Sequence, residues 1–326
     1  MAVRLKIKVK KPTPIRFAVS DFAHPDERRA KLTGIAVGVA AYLVILGLAA
    51  LTPTRLQLMV AWTVWTLGAL VYFTVGASRS EVRRVVGGAE NVPGPAIDHL
   101  ADTVAKQARA VGVPAAAVVA GGVSETRTVG SLILVPPVLL QRLGAAEVWA
   151  LTAREIGHIR AGHVGLLSLC RRAGGDASLP LRILALPLQP LARALANWQW
   201  YAALTADHMS LVLTRDRRVA AAALLKQATA GVQDITAEEI DEYLKRHGSI
   251  TAQTAEVMTH FKLGEVLRSR SGLTERLRAL GMYAESDEYK RACDRLDAAY
   301  AKAQKTDGGI PLPSRDASPP EPGSPG

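Results

Sequence analysis

Residues 131–163 read SLILVPPVLLQRLGAAEVWALTAREIGHIRAGH, a stretch that changes from strand to helix and ends in a candidate site. The β-prone run 126–135 stops at Pro136-Pro137, a short helix is expected over 138–143, and a longer one over about 145–162. In the long helix Arg154 stands four residues before His158, with Glu155 between them. A histidine at 154 would complete His-Glu-x-x-His, in which two imidazoles on one helical face hold a metal and the glutamate works on its bound water. Arginine has no lone pair to offer and keeps its proton at any relevant pH. The question is whether a metal-site helix persists here without the metal.

At 326 residues the chain has length for one large domain or two small ones. Its 49% hydrophobic and 5% aromatic content is Ala/Val/Leu-rich and leans towards helix. Cys170 and Cys293 form neither a disulfide framework nor a CxxC pair, which points to a reducing compartment. No Gly-rich loop precedes a Lys-Ser/Thr pair, so there is no sign of a nucleotide site. The net charge of +11 is unevenly placed, with nine Lys/Arg against three acids in residues 1–32.

Two uncharged spans follow that basic segment, nineteen residues at 33–51 and twenty-one at 56–76. Each reaches roughly the 30 Å of a bilayer core. The intervening Thr52-Pro53-Thr54-Arg55 allows only a tight hairpin. Two adjacent spans of this length are rare among buried helices of soluble proteins, and a span that starts only after a charge-rich region of 32 residues does not fit a cleaved leader. Arg79, Arg83 and Arg84 follow the second span, while the hairpin loop carries Arg55 alone. Positive charge on the inner side therefore puts both termini and the main domain in the cytoplasm of a two-span membrane protein. The basic segment then faces anionic lipid, and nucleic acid is not needed to explain it.

The expected organisation is α+β and mostly α. Residues 1–32 form the basic segment, 33–76 the transmembrane hairpin, 88–304 the main domain, and 305–326 a disordered tail rich in Pro, Gly and Ser. In the main domain an amphipathic helix is expected at 97–111. Short strands at 116–119 and 126–135, separated by Gly121-Gly122, form a hairpin or small sheet. After a Pro- and Gly-punctuated stretch (174–190), helices are expected at 191–213, 218–229, 237–247, 252–268, 273–280 and 287–304.

This order resembles the HtpX-like zinc metallopeptidases, the gluzincin group that includes the CAAX prenyl proteases. Four pieces carry the likeness over roughly residues 30–285: the membrane hairpin, the 131–151 segment, REIGHIRAGH with Gly157, Gly162 and His163, and Ala203-Leu204-Thr205-Ala206-Asp207. The last is similar to a family pattern Glu-x-x-Ala-Asp. The resemblance implies a helical gluzincin-like domain with a small β-sheet, zinc as cofactor and metalloendopeptidase activity. It assigns Glu155 the general-base position, His158 a ligand position, Arg154 and Ala203 the positions of two lost ligands, and Asp207 a supporting hydrogen bond. Ser269-Arg270-Ser271-Gly272 stands where the family has Ser/Thr-His-Pro.

One ligand of three will not retain zinc, and without the ion Glu155 has no polarised water to deprotonate. Rebuilding the site is less economical. His163 lies some ~140° around the helix from His158 unless the helix ends between them. Asp207 or His208 would have to move into the ligand shell. Arg154 either takes over the ion's charge, pairing with Asp207 and Glu155, or turns outward into a wet cleft. His158 is expected as a core histidine bonded to Asp207, and Glu155 is open to the role of a helix residue paired with a nearby Lys or Arg. His24, His99, His247 and His260 show no ligand spacing and are expected to be surface or incidental residues.

The expected function is a membrane-anchored, catalytically inactive pseudopeptidase with no bound zinc, a scaffold or regulator for a protein or peptide client. Its strand at 126–135 corresponds to the edge strand that receives substrate in such proteases. The alternatives are an active membrane zinc metalloendopeptidase with a non-standard site, or a structural membrane protein outside the family.

Overall fold

A computed structural model of the chain describes residues 18–73, 117–120, 126–130, 132–174, 179–228 and 272–307, with single positions 104, 108, 111 and 113. Most of the expected 97–111 helix lies outside the described residues, as do the helices at 237–247 and 252–268 and the tail from 308 onward. The described chain is mostly helical with one small sheet.

A 3-10 turn at Val19–Asp21 leads into helix α1 (Glu27–Ala50), and α2 (Arg55–Val71) follows. α1 starts before the apolar span because Glu27, Arg28, Arg29, Ala30 and Lys31 are ordinary or good helix formers. By length and composition α1 can cross a membrane; α2 is a shorter apolar helix. The basic segment is not wholly a lipid-facing arm. Phe22 is fully buried in the main core, and Asp21 pairs with Arg295.

The sheet has the order β1-β3-β2, from β1 (Ala117–Ala120), β2 (Arg127–Val129) and β3 (Leu132–Val135). β1 runs parallel to β3, and β2 antiparallel to it. The hairpin therefore lies within the expected second run. Gly130 turns it with a φ of 64°, a left-handed value that costs a glycine little. Gly121-Gly122 lies outside the described residues.

Helix α3 (Pro137–Arg142) and α4 (Ala145–Arg160) come next, with the Gly144 N–H donating to the Glu147 carboxylate at the start of α4. Then follow α5 (Val164–Gly174), α6 (Leu179–Ala185), a 3-10 turn at Leu186–Leu188 and α7 (Gln189–Ala194). The described part of the Pro- and Gly-punctuated stretch is thus helical. Pro187 and Pro190 sit in first turns, where the missing N–H has no helical partner to lose. α8 (Ala196–Thr214) is separated from α7 at Leu195, so the single helix expected over 191–213 is two. α1 crosses at this junction: a Cβ on Gly34 would lie 2.8 Å from the Ala194 carbonyl oxygen. α9 (Arg217–Ala228), α10 (Leu273–Glu285) and α11 (Asp287–Asp307) complete the described chain.

α4 and α8 form the centre of the domain, with α9 and α10 packed against them. Ile156 of α4, Met209 and Val212 of α8, Leu225 of α9 and Leu277 of α10 share one buried cluster. A second cluster joins Ala69 near the end of α2 and Phe73 just after it to Leu169, Leu188, Leu195 and Trp198. Gly157 lets α4 and α8 approach closely; a Cβ there would meet the Met209 Cβ at 2.8 Å and the Ala206 Cα at 3.2 Å. Gly157→Ala is expected to destabilise the fold by about 1–3 kcal/mol through overpacking. Gly165→Ala, where a Cβ meets nothing within 4 Å, should change stability by less than about 1 kcal/mol. Chemical denaturation of the two variants in detergent checks the contrast.

Candidate functional site

The α4–α8 crossing gathers residues that are distant in sequence because both helices repeat every three to four residues. Arg154, Glu155 and His158 come from α4, Ala203 and Asp207 from α8, and Arg276 joins from α10. Arg154 Nε donates to Asp207 Oδ1 at 3.0 Å, and its Nη1 donates to Glu155 Oε1 at 3.0 Å. Its side chain is only 14% exposed, so it turns inward rather than into an open cleft. Arg276 grips the same aspartate with two bonds, Nε to Oδ2 at 2.8 Å and Nη2 to Oδ1 at 2.7 Å. Asp207 is 1% exposed and thus takes three charge-assisted hydrogen bonds. Glu155 is buried and paired with Arg154, the nearby arginine that the helix reading allowed for; Thr128 of β2 donates to its other oxygen at 2.7 Å.

His158 is not bonded to Asp207. Its Nδ1 lies 3.2 Å from Nδ1 of His163, and His163 Nε2 lies 2.7 Å from Glu27 Oε1 at the start of α1. α4 ends at Arg160, and Gly162, at a φ of 71°, returns the chain so that the two rings meet. Thr205 donates to Glu27 Oε2 at 2.6 Å and accepts from the His24 N–H at 2.9 Å. Burial, then Arg154, His163, Arg171 and Arg276, hold His158 well below the ordinary imidazole range. His208, next to Asp207, points elsewhere. Its Nδ1 donates to the Phe22 carbonyl at 3.1 Å, and its ring stacks on Tyr283 at 3.7 Å. His24 is not incidental, since its ring packs against Tyr201 and His208. His99, His247, His260 and Arg270 lie outside the described residues.

A cavity of about 320 Å³ opens beside this network. Thr126, Arg127 and Thr128 line one side, Arg154, Glu155 and His158 another, with Arg171, Gln199, Ala203 and Arg276 around them. These residues do not fit a zinc ion. Guanidinium groups hold the two nearest carboxylates, and Ala203 offers no donor. Among the described residues, no three of His, Cys, Asp and Glu are grouped to hold a metal.

Arg276, Thr128 and Glu27 were not singled out by motif reading. Arg276 is one charge among several in an amphipathic helix, Thr128 one β-former among many, and Glu27 precedes an apolar span with no motif around it. No protein-family model, no curated protein and no solved structure matches this chain.

Two outcomes follow from the geometry. Asp207→Asn leaves two partly buried guanidinium groups facing a neutral amide and is expected to destabilise the fold by about 3–5 kcal/mol. Arg154→Met leaves Arg276 on Asp207 and should cost less, with the order read from melting temperatures. The second outcome concerns acid. Burial pushes His208 down to about 4 and also lowers His24 and His158. Unfolded imidazoles take protons near ~6.5, whereas the folded ones resist. The stabilisation is therefore complete above pH ~6.5 and is lost as pH falls towards 4, with His208 alone worth about 3 kcal/mol. His208→Phe should flatten the decline in unfolding free energy between pH 7 and 4.5.

Proposed function

We propose that this is a membrane-anchored, metallopeptidase-like protein without catalytic metal, which holds a peptide or protein client at the cytoplasmic membrane face. The observation that carries the reading is the Arg154 guanidinium seated between Asp207 and Glu155 at the α4–α8 crossing. In the HtpX-like arrangement that the sequence resembles, a dication and its water would work at this crossing. A guanidinium can balance the carboxylates there, but it cannot polarise water as a Lewis acid does. The edge strand β2 lines the adjoining cavity, and strand addition needs main-chain hydrogen bonds rather than a metal.

Membrane attachment is supported by the run of exposed apolar side chains along α1 and α2, from Leu32 and Leu43 to Leu56 and Val71. α1 is roughly 36 Å long. Exposed Ile183 and Leu186 extend the apolar surface beside α2, which contacts α6 and the 3-10 turn after it. On this reading α1 and α2 form a two-span hairpin, and the basic flanks set its orientation.

The test uses the full chain in detergent. The expected result is substoichiometric zinc and no chelator-sensitive cleavage of unfolded casein, with casein retained by the immobilised protein. Stoichiometric zinc with chelator-sensitive cleavage overturns the reading. Arg154→His combined with Ala203→Glu should gain about one zinc per chain, because it restores a three-ligand set. A folded double variant that binds none counts against the proposed architecture.

A further inference from the structure

We propose that the cavity beside α4 binds a peptide carboxylate, with the peptide backbone laid along the outer edge of β2. This rests on the peptide-binding reading above and gives it a ligand class.

Charge is the first argument. Arg127, Arg154, Arg171 and Arg276 line the cavity, with Glu155 the one carboxylate among its described lining residues and Asp207 buried behind it. Among the described residues along the walls and behind them, guanidinium groups outnumber carboxylates. Their planar forks match a carboxylate in two-bond geometry. An entering cation would be repelled, and an entering anion drawn in.

The second argument is a polar atom in want of a partner. Thr126 is 3% exposed and lines the cavity, and its Oγ1 has no hydrogen-bond partner among the described residues. A buried hydroxyl without a partner carries a desolvation cost that a ligand oxygen or amide relieves.

The third is the strand beside it. β2 pairs with β3 through Arg127–Leu134, Thr128–Ile133 and Val129–Leu132, and among the described residues no strand covers its other edge. Arg127 belongs both to that edge strand and to the cavity wall. An extended peptide added to β2 would run beside the arginines. This favours a peptide over a lipid head group, whose acyl chains cannot satisfy a strand edge. A volume of about 320 Å³ admits one side chain or one chain terminus.

The experiment is fluorescence anisotropy on the full-length protein in neutral detergent, with labelled pentapeptides of alternating Thr and Val. They end in glutamate amide, glutamine free acid or glutamine amide. Either carboxylate-bearing peptide is expected to bind at least tenfold more tightly than the glutamine amide, and the one that does identifies a side-chain or terminal source. The preference should vanish in Arg171→Gln and in Arg127→Gln, each checked for an unchanged melting temperature. Equal binding of all three peptides overturns the carboxylate assignment and leaves peptide capture standing. Failure of every peptide, with casein also released, overturns both. Arg171-dependent binding of phosphatidylglycerol vesicles in place of any peptide assigns the cavity to a lipid head group and overturns this proposal.

Discussion

The buried carboxylate of Asp207 is the constraint on which the centre of the domain depends. A charge that is 1% exposed needs opposite charge and hydrogen bonds at once. α8 supplies the aspartate, α4 supplies Arg154, and α10 supplies Arg276, so one group ties three helices. Arg154 extends the network to Glu155, whose second oxygen is held by Thr128 of β2. The sheet is thereby joined to the helices by polar contacts as well as by Ile133 and Val135 in the shared core. The close helix approach at Gly157, one turn from Arg154, sets the distance over which these bonds form.

A second polar chain joins the apolar N-terminal helix to the same crossing. Glu27 bonds His163 and Thr205, and His163 meets His158, which lines the cavity. Glu27 is therefore not a lone charge at the foot of an apolar helix. It anchors α1 to the end of α4 and to the middle of α8. Gly34 and Gly38 continue the attachment by close backbone packing against α7, while the outer face of α1 stays apolar and exposed. On the proposed membrane reading, this docking fixes the cavity at a set distance from the bilayer.

Much of the helical frame was legible because periodicity and punctuation report local structure. Gly144, Pro136-Pro137 and Gly162 mark real boundaries, and the spacing of Arg154, Glu155 and His158 puts them on one side of α4. The partners of the motif are not legible in the same way, since they depend on tertiary approach. The expected bond from His158 to Asp207 does not form, because the turn at Gly162 brings His163 within reach first. Once Arg154 and Arg276 occupy Asp207, that carboxylate has little left to offer an imidazole. His208 is drawn off by Phe22 of an N-terminal segment that charge alone assigned to the lipid surface. The hairpin turns at Gly130 in the left-handed conformation, and the strand before Gly121-Gly122 pairs in parallel with β3 instead of folding back on β2.

The arginine clamp also decides which ligands the crossing can accept. A zinc site concentrates carboxylate and imidazole lone pairs on one point, so its empty form attracts cations. Here those carboxylates already bond to guanidinium groups whose remaining N–H bonds are donors. The polarity of the cavity is therefore opposite to that of a metal site built on the same helices. Arg154 with a glutamate at 203 would introduce another carboxylate and draw the guanidinium away from Asp207, whereas Ala203 leaves it there. On the proposed reading the two departures from a metal-binding pattern are physically coupled: each makes the other easier to accommodate, and together they leave a structural ion pair where a cation would be held.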